Sequence, residues 1–296
     1  MKTVLISNDS KLKLSNNNII IENSNGIFNE SLDCISLIIV QSRTTLTTDL
    51  INEIIGKHIP IIICNNKKLP NCYIVPYFGT INRFETVSNQ INWSLDKKNN
   101  VSLEIIKNKI FNQQKAIELL FGKKEVYKNY LEKLCVETRT KWEAFVARKY
   151  FYKLFGTQFN RRDYSNEINK KLNYGYAIFA SVITCEIISH GYLTEIGINH
   201  CAKTNNYNFT YDIIEPFRPI IDVFVYRTRD VEFNSEYKIK LVNLLYEEIY
   251  YNKKKYSVLN AIKEYVVSVI KMLDGVNRLG NIGINWQIVN LDIIYR

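Results

Sequence analysis

Histidine is scarce in this chain: three among 296 residues. Imidazole chemistry is therefore confined to positions 58, 190 and 200. His58 and His190 close helical patterns, where a histidine favours the carboxyl-terminal end of the dipole. His200 instead opens an Asn-rich polar loop after Gly197. Six cysteines form no Cys-x-x-Cys pair and no ladder of spacings, which argues against a zinc ribbon and against a disulfide framework and leaves them as reduced thiols. Cys201 adjoins His200, but adjacent side chains point apart, so the pair does not make a zinc site. The amino terminus has too short an apolar run for a signal peptide. No run approaches the roughly 18 apolar residues of a membrane span, so a cytoplasmic protein without a membrane partner is expected. Acidic residues are also in deficit, 29 against 39 Lys and Arg, and the net charge of +10 favours an anionic partner, nucleic acid first. The richness in Asn, Lys, Ile and Tyr offers a bland source for the same lysines, so charge alone does not decide.

A hydrophobic share of 46% is enough for a globular core, and the length admits one large domain or two ordinary ones. From Thr3 to about Ile81 the apolar runs are short and β-like: Val4–Ile6, Leu12 and Leu14, Ile19–Ile21, Ile35–Val40. Leu46, Leu50, Ile54 and Ile55 recur at helical spacing behind a Thr47 or Thr48 cap, and Ile59–Ile63 follows as a buried strand. Nothing in this strand, helix, strand unit resembles a glycine-rich phosphate loop or a nucleophile elbow. Residues 82–100 read as a connection, with 96–100 a polar turn and Trp93 packing down.

Beyond Val101 the period is helical. One long helix carries Ile105, Ile106, Ile110, Ile117, Leu120 and Phe121 and ends at Gly122. A second carries Val126, Tyr130, Leu131 and Leu134. A third carries Trp142 to Phe155 and ends at Gly156. Leu172–Ile188 is a further apolar helix, and the last third predicts two more, the first through Leu241, Leu244, Leu245 and Ile249. The expected fold class is α+β: a β-rich scaffold and dimerisation domain over residues 1–90, then an all-helical catalytic domain over 91–296.

His200 precedes two carboxylates, Asp212 and Glu215, whose spacing places both on one side of a helical or turn backbone. Pro216 either starts a helix there or kinks one. Two like charges so placed need a proton or a cation, and an imidazole with carboxylates suits Mg, Mn or Zn. A solvated helix start beside a loop histidine is the bland alternative, and spacing alone leaves both open.

The residues around the cluster are more specific. From Asp212 to Asp222 the chain reads Asp-Ile-Ile-Glu-Pro-Phe-Arg-Pro-Ile-Ile-Asp, which resembles the signature of the CRISPR-associated adaptation integrases, the Cas1 family, in its type II form. Ala147-Arg148-Lys149-Tyr150-Phe151, Phe159-Asn160-Arg161-Arg162, Leu172 to Ile178 and Gly197-Ile198-Asn199-His200 are similar to further blocks of that family in the same order. Shorter matches run from Thr44 through Cys64, Gln90 and Trp93 to Lys109-Ile110 and Asn112-Gln113.

The resemblance implies that Glu143, four residues before the Ala-Arg-x-Tyr-Phe block, joins His200 and Glu215 as a metal ligand. Ala144 stands where the family commonly has Gly. Asp212 is then a supporting carboxylate, Tyr174 and Arg218 belong to the substrate pocket, and Lys149, Lys153, Arg161 and Arg162 hold DNA phosphates. The implied activity is a metal-dependent DNA endonuclease and integrase using Mg or Mn. The implied partners are double-stranded DNA, a second copy of the chain, the small Cas2 protein and other type II adaptation proteins. The alternatives are a non-catalytic basic DNA scaffold and a metal-dependent nuclease acting outside CRISPR.

Overall fold

The computed structural model describes residues 2–76 and 82–275 and the short strand Ile282–Gly283. The chain divides into two compact units, residues 1–84 with 187–192, and residues 85–186 with 193–296.

The first unit is built on two four-stranded sheets. Its elements are β1 (Lys2–Ile6), β2 (Ser10–Ser15), β3 (Asn18–Asn23), β4 (Gly26–Ser31), β5 (Ile35–Val40), β6 (Thr44–Leu46), α1 (Thr48–Gly56), β7 (Ile61–Cys64) and β8 (Pro70–Ile74). One sheet has the order β1-β5-β7-β8, with β1, β5 and β7 parallel. β5 is buried along its whole length, as a near-continuous apolar strand covered on both faces must be. The other sheet, β4-β3-β2-β6, begins with a hairpin whose two turn residues, Asn16 and Asn17, lie at positive φ, the backbone an asparagine tolerates best after glycine. α1 puts Leu50 and Ile54 into the core with Val4, Ile6, Leu12, Ile38 and Ile61, and His58 follows it at φ 56°.

The second unit holds most of the helices. α2 (Arg83–Ile91) leads into α3 (Leu95–Phe121), which runs 27 residues. Residues 96–100, expected as a polar turn, are instead the first turn of α3. Ser94 Oγ accepts from the Lys97 amide, and Asp96 sits at the positive end of the dipole. Trp93 does pack down: its Nε1 donates to Asp274 at 2.9 Å, and its ring meets Phe209 at 5.5 Å. The second expected helix shrinks to α4 (Lys128–Glu132), because Thr138 Oγ1 accepts from Cys135 N and bonds Lys133 O, closing a local loop that competes with helix.

α5 (Arg139–Phe155) stops at Gly156. α6 (Glu167–Ser189) is long and apolar enough to cross a membrane by length and composition, yet 67% of that stretch is buried in the protein, as a core helix is. α7 (Asn208–Ile213) is joined to α8 (Arg218–Arg227) by a single 3₁₀ turn, Glu215–Phe217, so Pro216 kinks the chain.

After α9 (Ser235–Asn243) the expected helix through Ile249 is replaced by a hairpin, β9 (Glu248–Tyr251) and β10 (Lys254–Ser257). α10 (Val258–Leu273) follows, and β11 (Ile282–Gly283) completes a three-stranded sheet. Asn252 and Lys253 at positive φ make the two-residue turn that fits such a hairpin. The second unit is thus helical with one small sheet added.

Candidate active site

α3 is the floor of the site. Ser102, Ile105 and Ile106 line a small pocket whose other walls are Glu143, Ile198, Asn199, His200, Asp212 and Glu215. Further along α3, Asn112 is fully buried and its Nδ2 donates to Pro216 O at 2.7 Å, pinning the 3₁₀ turn that carries Glu215. Arg139 at the start of α5 bonds Ser102 Oγ and Asn99 Oδ1 on α3, which fixes the helix end bearing Glu143.

The loop bearing His200 is tied down from two sides. Gln90, fully buried, accepts from Leu193 N through its Oε1 and donates to the carbonyls of Leu193 and Ile196. Asp212 holds the tip. Its Oδ2 accepts from Ile198 N at 2.5 Å and Asn199 N at 3.0 Å, and its Oδ1 accepts from His200 N at 3.0 Å and His200 Nδ1 at 2.7 Å. This wrapping explains Gly197, where a Cβ would lie 2.3 Å from His200 O and 2.9 Å from Asp212 Oδ2. A carboxylate only accepts, so Nδ1 carries a proton, and in the neutral imidazole Nε2 keeps its lone pair. The Asp212 hydrogen bond also raises the His200 pKa, against the opposing effect of burial.

Glu143 and Glu215 share one cation. Lys109 Nζ is 2.6 Å from Glu143 Oε1 and 2.6 Å from Glu215 Oε2. The other oxygen of Glu215 accepts from Arg218 Nε at 2.9 Å, and the Arg218 guanidinium lies over the Tyr176 ring, 4.5 Å from its centre. Burial alone would push Glu215 up; the charges of Arg218 and Lys109 outweigh it and hold the carboxyl at about 2. Burial likewise opposes the charge on Lys109, and Glu215 and Glu143 hold its pKa above the ordinary lysine value.

Glu143, His200, Asp212 and Glu215 therefore meet around one pocket. Among the described residues, no three His, Cys, Asp or Glu side chains close on one point as they stand. The donor chemistry nevertheless suits a divalent ion. Two carboxylates face an imidazole whose second nitrogen is held by a carboxylate, the support usual for ligating histidines. The ammonium between the carboxylates marks where positive charge is required.

Tyr174 and Arg218 take different places. Tyr174 is a buried α6 residue edge-on to Phe233 at 5.8 Å and does not line the pocket, whereas Arg218 braces Glu215 from behind. Arg161 turns inward, donating to Asn169 Oδ1 and Asn173 Oδ1, while Arg162 is exposed. Lys149 and Lys153 are exposed on α5, over Phe145 at 4.7 Å and Phe121 at 4.8 Å respectively. Lys109, Asn112 and Gln90 had been read only as matches to a family pattern. The signal for a role was their position: Lys109 interrupts the apolar stripe of Ile105, Ile106 and Ile110.

Solved structures share this architecture. A casposase bound to its integration product superposes with a TM-score of 0.72 at 18% identity, covering 94% of this chain and 92% of that one. A chain of a Cas6-RT-Cas1–Cas2 complex superposes with a TM-score of 0.68 at 15% identity, covering 95% of this chain and 36% of that one. Residues 3–232 match the family described as CRISPR associated protein Cas1, and the chain belongs to that family. A CRISPR-associated endonuclease Cas1 from Neisseria meningitidis is 28% identical over 277 residues, 90% of each chain. With membership comes dependence on a divalent metal ion.

Proposed function

We propose that this chain is a CRISPR adaptation integrase: a metal-dependent DNA endonuclease that inserts short double-stranded fragments into a CRISPR array, a fragment's 3′-hydroxyl attacking a phosphodiester. The observation that carries the reading is the shared pocket of Glu143, His200 and Glu215, drawn from α5, a loop and a 3₁₀ turn and braced by Asp212 and Arg218. Glu143, Glu215 and His200 Nε2 would hold the ion. Mg or Mn bound there supplies positive charge for the attacked phosphate and the leaving oxygen.

The protein's own part is placement. Asp212 keeps the imidazole in one tautomer and orientation, and Arg218 keeps Glu215 ionised and aimed. On α5, Lys141, Phe145, Arg148, Lys149 and Tyr152 are exposed at spacings of three and four, a stripe of cations and aromatic rings suited to a DNA strand. Tyr174 acts through packing. The first unit serves as scaffold and dimerisation surface, Cas2 and type II adaptation proteins are the partners, and the cytoplasm is the place of action.

Strand transfer by parent and Glu143→Ala, each saturated with DNA, tests this. Loss of a ligand should lower the rate by at least about 100-fold. DNA affinity should hold or rise slightly, since a negative charge near phosphates is gone. Full strand transfer by Glu143→Ala would show that Glu143 holds no essential ion; a parent that binds DNA yet transfers no strand would leave a basic scaffold that holds DNA for another enzyme.

A further inference from the structure

We propose that Lys109 is the resident counter-cation of this pocket, an internal ammonium that occupies the divalent-metal position and leaves it when metal binds. The inference rests on the metal-site reading above and goes beyond it by assigning a residue that a metal must displace.

Without a cation, Glu143 and Glu215 would face each other in a buried setting, which ionised carboxylates resist. Lys109 removes that conflict: its side chain is 11% exposed, and its ammonium lies 2.6 Å from one oxygen of each. A divalent ion bound to the same carboxylates sits about 2.0 to 2.3 Å from their oxygens. Two cations cannot both occupy that space, because each would face the other across a gap of a few ångströms with little water between.

Which cation yields follows from what holds it. Both oxygens of Glu215 are taken, Oε1 by Arg218 and Oε2 by Lys109. Arg218 is fixed by more than its ion pair, since its guanidinium lies on the Tyr176 ring and Tyr176 OH is bonded to Asp222. Lys109 ends a flexible four-carbon stem, and the contacts of its ammonium are the two carboxylates themselves. Lys109 is therefore the group that moves. In the metal-free chain it holds the two carboxylates together, and the same pairing opposes metal binding. If the paired state is populated about nine times in ten, apparent metal affinity falls about ten-fold.

The test is Mn binding followed by electron paramagnetic resonance of the free ion, on the full-length parent, Lys109→Met, Lys109→Arg and Glu143→Gln, with thermal melts with and without Mn. Lys109→Met should bind Mn about ten-fold more tightly than the parent. It should melt several degrees lower without metal and regain most of that with Mn, a larger metal-dependent rise than the parent shows. Lys109→Arg, which keeps a charge, should bind Mn no more tightly than the parent.

A second readout that does not need Lys109→Met to fold is the lysine ε-carbon NMR spectrum of the parent, with the Lys109 signal assigned from Lys109→Arg. That signal should shift on titration with Mg. Parental or weaker Mn affinity in Lys109→Met, or a Lys109 signal unmoved by saturating Mg, overturns the proposal when Glu143→Gln abolishes Mn binding by the parent pocket. A parent that binds Mn no better than Glu143→Gln sinks the metal-site reading itself, and the proposal with it.

Discussion

Glu215 is the residue whose surroundings say most about pH. Buried and tied to Lys109 and Arg218, its carboxyl is held at about 2 against an ordinary 4.5. The folded chain thus binds this proton less tightly than the unfolded chain, and stability from Glu215 is fully present above pH 4.5 and lost as pH falls toward 2. A shift of that size corresponds to ~3 kcal/mol at neutral pH. Asp222 works in the opposite sense. Burial pushes it up to about 6, despite the Tyr176 hydrogen bond, so it favours the folded chain below 3.8 and loses that effect as pH rises through about 6. Urea unfolding of the parent and Glu215→Gln isolates the first group, because Asp222 is common to both. The gap in unfolding free energy should be widest near pH 7 and should lose roughly half or more of its size by about pH 3. A gap independent of pH would mean that Glu215 is not held ionised by its two cations.

At the scale of elements, α6 and α8 approach through Gly175. A Cβ there would lie 2.6 Å from Ile221 Cγ2 and 3.3 Å from Leu241 Cδ2, both side-chain ends with limited room in a buried core. Gly175→Ala should therefore destabilise by about 1 to 3 kcal/mol despite alanine's better helix propensity, and the same change should cost less in an Ile221→Ala background, where the Cγ2 it meets is gone. Denaturant midpoints of the two single variants and the double variant decide it; additive effects would show that the contact is not the cause.

The same packing separates what could be read in the residues from what could not. The stops at Gly122 and Gly156, the strands through Val40 and the kink at Pro216 carry local signals, and each lies where its chemistry requires. The start of α3 was hidden because residues 96–100 are polar all round and show no stripe, although Ser94 was present as a cap. The β9 hairpin was hidden because Leu241, Leu244, Leu245 and Ile249 happen to fit a helical period. In the site, His200, Asp212 and Glu215 were legible from their spacing, and Glu143 only through the resemblance. Lys109 was legible only as a break in an apolar stripe, and its partners were not, since pairing across α3, α5 and the 3₁₀ turn is a property of tertiary packing.

For the whole molecule, the net charge of +10 is an incomplete guide to where DNA lies, because several cations are spent internally. Arg161 is bonded to Asn169 and Asn173, Arg218 to Glu215, and Lys171 Nζ donates to the carbonyls of Arg229 and Val231 beyond α8. The exposed candidates are Arg162, Lys153 and the α5 pair Arg148 and Lys149. A salt series of DNA titrations distinguishes the two groups. Each phosphate contact contributes about 0.9 to the slope of log affinity against log salt. Arg162→Ala should thus lower the slope by about 0.9, and Arg148→Ala with Lys149→Ala by up to ~1.8. Arg161→Ala should leave the slope at the parental value while costing about 1 to 3 kcal/mol of stability, because two buried-side amide oxygens lose a charged donor. Parental slopes in both the Arg162 and α5 variants would show these cations to be a solvated face. A lowered slope in Arg161→Ala would instead show that this arginine swings out to meet the phosphates, exchanging its asparagine partners for DNA.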